Sequence, residues 1–439
     1  MSAPAATARA AARRAPAALL WSEQGFVAAV LLAAAITVDP LGWDLAADRL
    51  LKHLPLALAL VFALLTAAGR RLRAAPGARP GRAPILRRAW PLAVLSALIV
   101  AGSLYERLLD GVRDTFLNVG LYMPMTFVAA AMARDSEAPQ ALLRAVSGVL
   151  LAAGAVMGAL LVANYGVRQV YHEQIFLVVP LAVLCLAPPR RSVLHWLGGA
   201  FFLAMAWFSQ KLTSYAVGAL TAAYLLAVLW LPRLSARPAL QRTTLAYWTL
   251  LLAGAGGALV AALMLAHPAA LPSGNLEYRL HTYAQAWRSF TDSPLWGSMF
   301  AAEAVRKFTL YTIGIARNML PTHSDVLDLL ANGGLVGIML WALGLAMIAR
   351  AAARDALAPR LRGAPEAPYA HALAMISLAA IVTYAVNPIL LQPALAFLVW
   401  TCLGLLLGVA LRRRAAVAVS PQARSSGADN IGKYAKTWS

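Results

Sequence analysis

Apolar residues in this chain come in unbroken blocks and not in alternation with polar ones. The blocks are roughly 18 to 25 residues long, the length of helix that crosses ~30 Å of hydrocarbon. They fall near residues 22–39, 53–69, 89–105, 115–133, 142–163, 174–188, 193–209, 213–231, 244–267, 325–349, 369–388 and 393–411. Backbone groups in lipid find partners only within their own helix or around a closed barrel. Blocks of this length without a two-residue period predict helices. They follow one another too closely to leave room for separate soluble domains. The pattern predicts an all-α polytopic membrane protein with about twelve transmembrane helices.

The polar connections test that count, because cytoplasmic loops carry an excess of Lys and Arg. Residues 70–88 hold Arg70, Arg71, Arg73, Arg79, Arg82, Arg87 and Arg88. Arg190 and Arg191 follow the sixth block, and Arg233, Arg237 and Arg242 follow the eighth. Arg350, Arg354, Arg360 and Arg362 follow the tenth, and Arg412, Arg413 and Arg414 the twelfth. Only the connection after the fourth is weakly basic, with Arg134 set against Asp135 and Glu137. All of these share one side when both termini are cytoplasmic. The chain then divides into a cytoplasmic tail (1–21), nine spans (22–267), one long outside loop (268–324), three spans (325–411) and a second cytoplasmic tail (412–439). The long loop interleaves Tyr278, Tyr283, Trp287, Phe290, Trp296, Phe300, Phe308 and Tyr311 with charges. That mixture predicts amphipathic helices at the membrane interface.

Composition agrees: 61% of the 439 residues are hydrophobic and 13% are charged, against about a quarter charged in soluble domains. The net charge of +20 does not mark a nucleic-acid binder, because the arginines sit in short loops between apolar blocks and not along one soluble face. Membrane lipids are the expected surroundings. Cys185 and Cys402 both lie inside apolar blocks, which argues against a disulfide framework. Residues Met1 to Pro16 lack a cleavage site after an apolar core and read as a tail, not a removed signal. No internal repeat and no Gly-rich nucleotide loop is present.

Four polar clusters fall on the outside. The first runs from Asn164 to Gln174 and includes Arg168, Tyr171, His172 and Glu173. The second is the short turn Ser209-Gln210-Lys211-Leu212-Thr213-Ser214. The third is Glu277-Tyr278-Arg279-Leu280-His281, followed by Trp287 and Arg288. The fourth is Pro321-Thr322-His323-Ser324-Asp325, at the start of the tenth span. Arg168, Lys211, Arg279 and Arg288 stand on the side that is otherwise poor in cations. Arg offers a planar fork to phosphate oxygens and Lys a point charge, so several together would bind a diphosphate. Snorkelling to lipid headgroups explains each one singly just as well.

His323 precedes an apolar helix whose free backbone N–H groups favour the neutral imidazole, the form that acts as a base. Asp325, two residues on, is placed to orient or protonate it. From residue type alone a histidine at a helix start is more often structural than catalytic, and His172 and His281 are weaker candidates. Asp292, Glu277 and Glu303 are scattered, with no D-x-D pattern, so neither a catalytic metal nor another cofactor is expected.

The stretch from His323 through Asp328, Asn332, Gly333 and Gly334 to Gly337 resembles the signature of the O-antigen ligase and polymerase superfamily. That signature has a His, a small polar residue, apolar helix positions and a Gly-rich turn of helix. Gly334 and Gly337 suit small-residue packing between membrane helices. Upstream, Arg279 with Tyr283 and Trp287, then Asp292-Ser293-Pro294-Leu295-Trp296-Gly297, resembles the family's Arg-bearing helix and its Pro-x-x-Gly turn. The match covers about 279–337, and the span layout is similar over most of the chain.

The resemblance implies a GT-C-like membrane transferase in the bacterial inner membrane with its site facing the periplasm. Its donor would be an undecaprenyl-diphosphate-linked glycan and its acceptor a sugar hydroxyl of lipid A–core. Transfer would be inverting and independent of metal. His323 matches the family's proposed base, and Arg279 the arginine thought to contact the diphosphate. The turn between spans seven and eight usually shows a Ser-Arg pair. Ser209-Gln210-Lys211 stands there instead, with Lys211 the replacement cation. Arg168 lies where relatives also carry a cation. An O-antigen polymerase or a protein O-oligosaccharyltransferase shares these features. A secondary transporter would also have about twelve spans, but the sequence has no matching halves and no paired broken helices.

Overall fold

The apolar blocks are helical over most of their described length in the structure, a computed structural model. It describes residues 21–46, 48, 50–73, 83–110, 116–167, 170, 171, 173–187, 192–229, 273–300, 324–357, 364–384 and 387–419. The helices are α1 (Trp21–Val38), α2 (Leu54–Arg73), α3 (Ala83–Asp110), α4 (Phe116–Tyr122), α5 (Met125–Asp135), α6 (Pro139–Ala163), α7 (Ile175–Val178), α8 (Leu181–Leu186), α9 (Val193–Phe208), α10 (Leu212–Leu229), α11 (Ser273–Asp292), α12 (Asp325–Ala351), α13 (Ala367–Tyr384) and α14 (Pro393–Val419). Among the described residues, eight segments are long and apolar enough to cross a membrane: Trp21–Val38, Leu51–Gly69, Ile85–Tyr105, Phe116–Asp135, Pro139–Ala163, Asp325–Ala356, Ala367–Tyr384 and Pro393–Ala415. Ile175–Leu186, Val193–Phe208 and Leu212–Leu226 are shorter apolar helices. The expected span at 244–267 lies outside the described residues, as do both outer tails, residues 1–20 and 420–439.

Proline sets several helix boundaries. Pro180 separates α7 from α8, because its ring removes an N–H and crowds the carbonyl four residues back. In α3 the kink sits at Ala89 (φ −143°, ψ 21°), two residues before Pro91. The straight part of α3 therefore begins where the third apolar block does.

The centre of the bundle is α14. Its residues 394–411 are all buried, which suits a helix that is apolar on every side. Gly404 and Gly408 turn bare backbone toward α5. A Cβ on Gly408 would come within 2.5 Å of the Ala130 carbonyl oxygen, and one on Gly404 would overlap the Thr126 carbonyl. This is the close small-residue contact of membrane helices, and it lies here instead of at Gly334.

Arg412 and Arg413 lie at one end of α14, where they close helix C-termini. Arg413 donates to the Ala356 carbonyl (2.8 Å) and pairs with Glu366 (3.0 Å). Arg412 donates to the carbonyls of Ser136 and Arg134. At the other end Tyr171, before α7, donates to the Val38 carbonyl at the end of α1 (2.6 Å). The described helices thus run alternately between an arginine-rich end and an opposite end.

Candidate functional site

The opposite end carries the polar clusters. α11 is amphipathic: Arg279, Thr282, Tyr283 and Ala286 recur at helix spacing, with Thr282 and Ala286 buried, whereas Trp287, Arg288, Thr291 and Asp292 are exposed. Its buried face lies against α12. Ser324 caps α12, its hydroxyl accepting the Leu327 N–H at 3.2 Å, as a serine N-cap does. Asp325 and Asp328 occupy the first turn, where the helix dipole favours negative charge.

Lys211 enters from the tight turn between α9 and α10. Gln210 adopts a left-handed φ of 53° there, and the Ser209 and Ser214 hydroxyls meet at 2.5 Å. The Lys211 carbonyl accepts the Ser214 and Tyr215 N–H groups, so the residue is anchored by its backbone. Burial, and then the neighbouring Arg279 guanidinium, hold the Lys211 amine below the usual lysine range. Tyr283 hydrogen-bonds Arg279 one helical turn away. Its phenol is raised by burial, pulled back by Arg279 and raised again by the nearby Asp328 carboxylate. Two cations from different elements therefore act on each other electrostatically. An anion bound between them would relieve their repulsion, and a diphosphate suits a lysine point charge beside an arginine fork.

The acidic side of this end is structural. Asp325 Oδ2 accepts the Ile389 and Leu390 backbone N–H groups at 2.9 and 3.0 Å, which ties the α13–α14 connection to α12. Gln392 in the same connection donates to Glu173, and Asp328 and Glu173 are close enough to act on Asp325 electrostatically. Oδ2 of Asp325 is thus engaged with backbone, and His323, which it was expected to serve, lies outside the described residues. Tyr171 likewise holds the end of α1. Gln174 precedes α7, and its carbonyl accepts the Leu177 N–H without a side-chain cap. Arg288 is exposed and stands nine residues after Arg279, on the opposite face of α11, away from Lys211. His323 and Arg168 lie outside the described residues, as do His172 and the His281 side chain.

Residues 293–300 form a feature that the motif reading missed. This turn follows α11 and docks where α12 is interrupted at Gly334 (φ 57°, ψ −156°). The turn supplies partners to four backbone groups beside the break. Ser298 N–H donates to Ala331 O (3.2 Å) and Phe300 N–H to Asn332 O (3.0 Å). Leu335 N–H donates to Pro294 O (2.8 Å) and Val336 N–H to Leu295 O (3.0 Å). Non-helical backbone inside an apolar span is tolerated only when protein supplies its partners. A Cβ on Gly334 would stand 2.5 Å from the Leu295 carbonyl, and one on Gly297 2.6 Å from the Ala331 oxygen. Gly334 is thus a break and a close backbone approach, not a helix-packing glycine. Gly337 faces Phe300 and Leu329. The available signal was a pair of glycines, one in each motif.

By fold and composition this is a multi-span helical membrane protein. No protein-family model matches the chain, and no curated protein matches it.

Proposed function

We propose that this protein is a glycan transferase of the O-antigen ligase type. It moves a glycan from undecaprenyl diphosphate to a sugar hydroxyl of lipid A–core. The reading joins the helical blocks above with residues 244–267 into twelve spans of GT-C-like layout in the bacterial inner membrane. Both termini are then cytoplasmic and the site is periplasmic.

One observation carries it: Lys211 and Arg279, from elements far apart in sequence, are electrostatic neighbours. They stand at the end opposite the arginine-rich loops, beside the helix that begins just after His323. In this reading the two cations neutralise the diphosphate as it leaves. The bond from the anomeric carbon to the diphosphate oxygen breaks, and a bond to the acceptor oxygen forms with inversion. His323 takes the acceptor proton. The step needs no metal or cofactor, and alignment of the two substrates supplies much of the rate.

The break in α12 favours a second reading, because discontinuous helices line the ion sites of secondary transporters. Here the freed carbonyls and N–H groups are occupied by residues 294–300, and so are not offered to an ion. The test is transfer by the purified full chain, supplied with undecaprenyl-diphosphate-linked glycan and lipid A–core in the presence of chelator. Glycan on lipid A–core is the expected product. Longer glycan on the carrier would mean a polymerase, glycan on added protein an O-oligosaccharyltransferase, and solute flux without transfer a transporter.

A further inference from the structure

The two motif segments are joined by more than proximity. We propose that the turn 293–300 is a splint that fixes the spacing between the α11 and α12 halves of the site, with Asn332 as its positioning residue. The inference rests on the transfer reading above and deepens it.

Asn332 is buried, with 1% of its surface exposed, and it makes three bonds. Its Oδ1 accepts the Ser298 hydroxyl at 2.8 Å. Its Nδ2 donates to the Asp328 carbonyl at 2.8 Å. Its own carbonyl accepts the Phe300 N–H at 3.0 Å. One side chain therefore joins the turn to the turn of α12 that carries Asp328. The turn begins at Ser293, directly after α11, the helix that carries Arg279 and Tyr283. Sliding α11 along α12 would break the four backbone bonds at Gly334 as well as the Ser298–Asn332 bond. Each such group left unpaired in an apolar surrounding is costly.

The turn is also held from behind. The Met299 carbonyl occupies the space that a Cβ would need at Gly102 of α3. The Phe300 ring packs on Phe116 of α4, with centroids 5.9 Å apart. The cations on one side and the α12 N-terminus on the other are therefore set before a substrate arrives. Preorganisation of this kind matters because a misplacement of about 1 Å can cost about a hundredfold in rate.

Two variants test the splint in the transfer assay. Asn332→Ala is expected to raise KM for the lipid-linked donor and to lower kcat/KM about tenfold or more. In Ser298→Cys/Asn332→Cys, oxidation by copper-phenanthroline replaces the Ser–Asn contact with a covalent one, and the native Cys185 and Cys402 are buried. The reduced double variant should be impaired and the oxidised form restored toward wild-type activity, a gain that simple misfolding would not give. Activity that falls on oxidation and returns with reductant would mean that the turn must leave α12 during turnover, and would overturn the splint. Unchanged kinetics in Asn332→Ala would overturn it too, with the transfer reading left standing. A wild type that transfers nothing would remove both.

Discussion

Single residues at this site act through charge and through backbone geometry. Lys211 binds an anion only while protonated, and its amine sits below the ordinary lysine range because it is partly buried beside Arg279. Donor binding should therefore weaken as pH rises, and at lower pH than for an exposed lysine, whose pKa is about 10.4. Lys211→Arg should abolish that alkaline fall, because a guanidinium stays charged throughout. A pH series of donor KM for the two proteins checks both statements. Gly334 is the other residue whose effect has a definite sign. Its φ of 57° and ψ of −156° lie in a region that only glycine adopts readily, at a cost of about 1–3 kcal/mol for other residues. The Cβ would also meet Leu295 backbone. Gly334→Ala should lower the thermal unfolding midpoint in detergent by several degrees. Gly337→Ala, whose nearest neighbours would be at an ordinary 3.6 Å, should leave the midpoint nearly unchanged.

Beyond their apolar packing, several elements are tied to one another by side chains that reach backbone. Asp325 joins α12 to the α13–α14 connection through two N–H groups, and hydrogen bonds of this kind contribute about 0.5–1.5 kcal/mol each. Asp325→Ala should speed amide exchange at Ile389 and Leu390 about tenfold or more, with smaller changes along buried α14. Hydrogen exchange read by mass spectrometry on the detergent-solubilised protein would measure it. At the bundle centre, Gly408→Leu would drive a branched side chain into the Ala130 backbone. Overpacking there should cost about 1–3 kcal/mol or more and appear as a lowered midpoint. These ties explain why part of the site was illegible in the sequence. Tyr171, Gln174 and Asp325 look like donors and acceptors for a ligand. The partners of Tyr171 and Asp325 are the Val38 carbonyl and the Ile389 and Leu390 N–H groups, and every residue has a backbone. The helix period did contain the placement of Arg288, since nine residues from Arg279 is half a turn out of phase.

Over the whole molecule, sequence was most informative where the physics is local. A long apolar block needs only its own backbone bonds to be stable in lipid, so the described spans fall where hydropathy put them. The break in α12 was hidden because its partners come from residues 294–300, far upstream, and because a glycine in an apolar run reads equally well as helix packing. The same turn places the Arg-bearing helix against the helix that follows His323, which makes the two motifs a single structural unit. In the proposed function this unit, with Lys211, transfers a lipid-linked glycan. The most direct measurement is the rate of glycan transfer from undecaprenyl diphosphate to lipid A–core by purified wild type, Arg279→Ala and His323→Ala, each shown to be folded by its unfolding midpoint. Wild type is expected to transfer with chelator present, and both variants to fall by about a hundredfold or more. Undiminished transfer by folded His323→Ala and Arg279→Ala, or none by wild type, would contradict it.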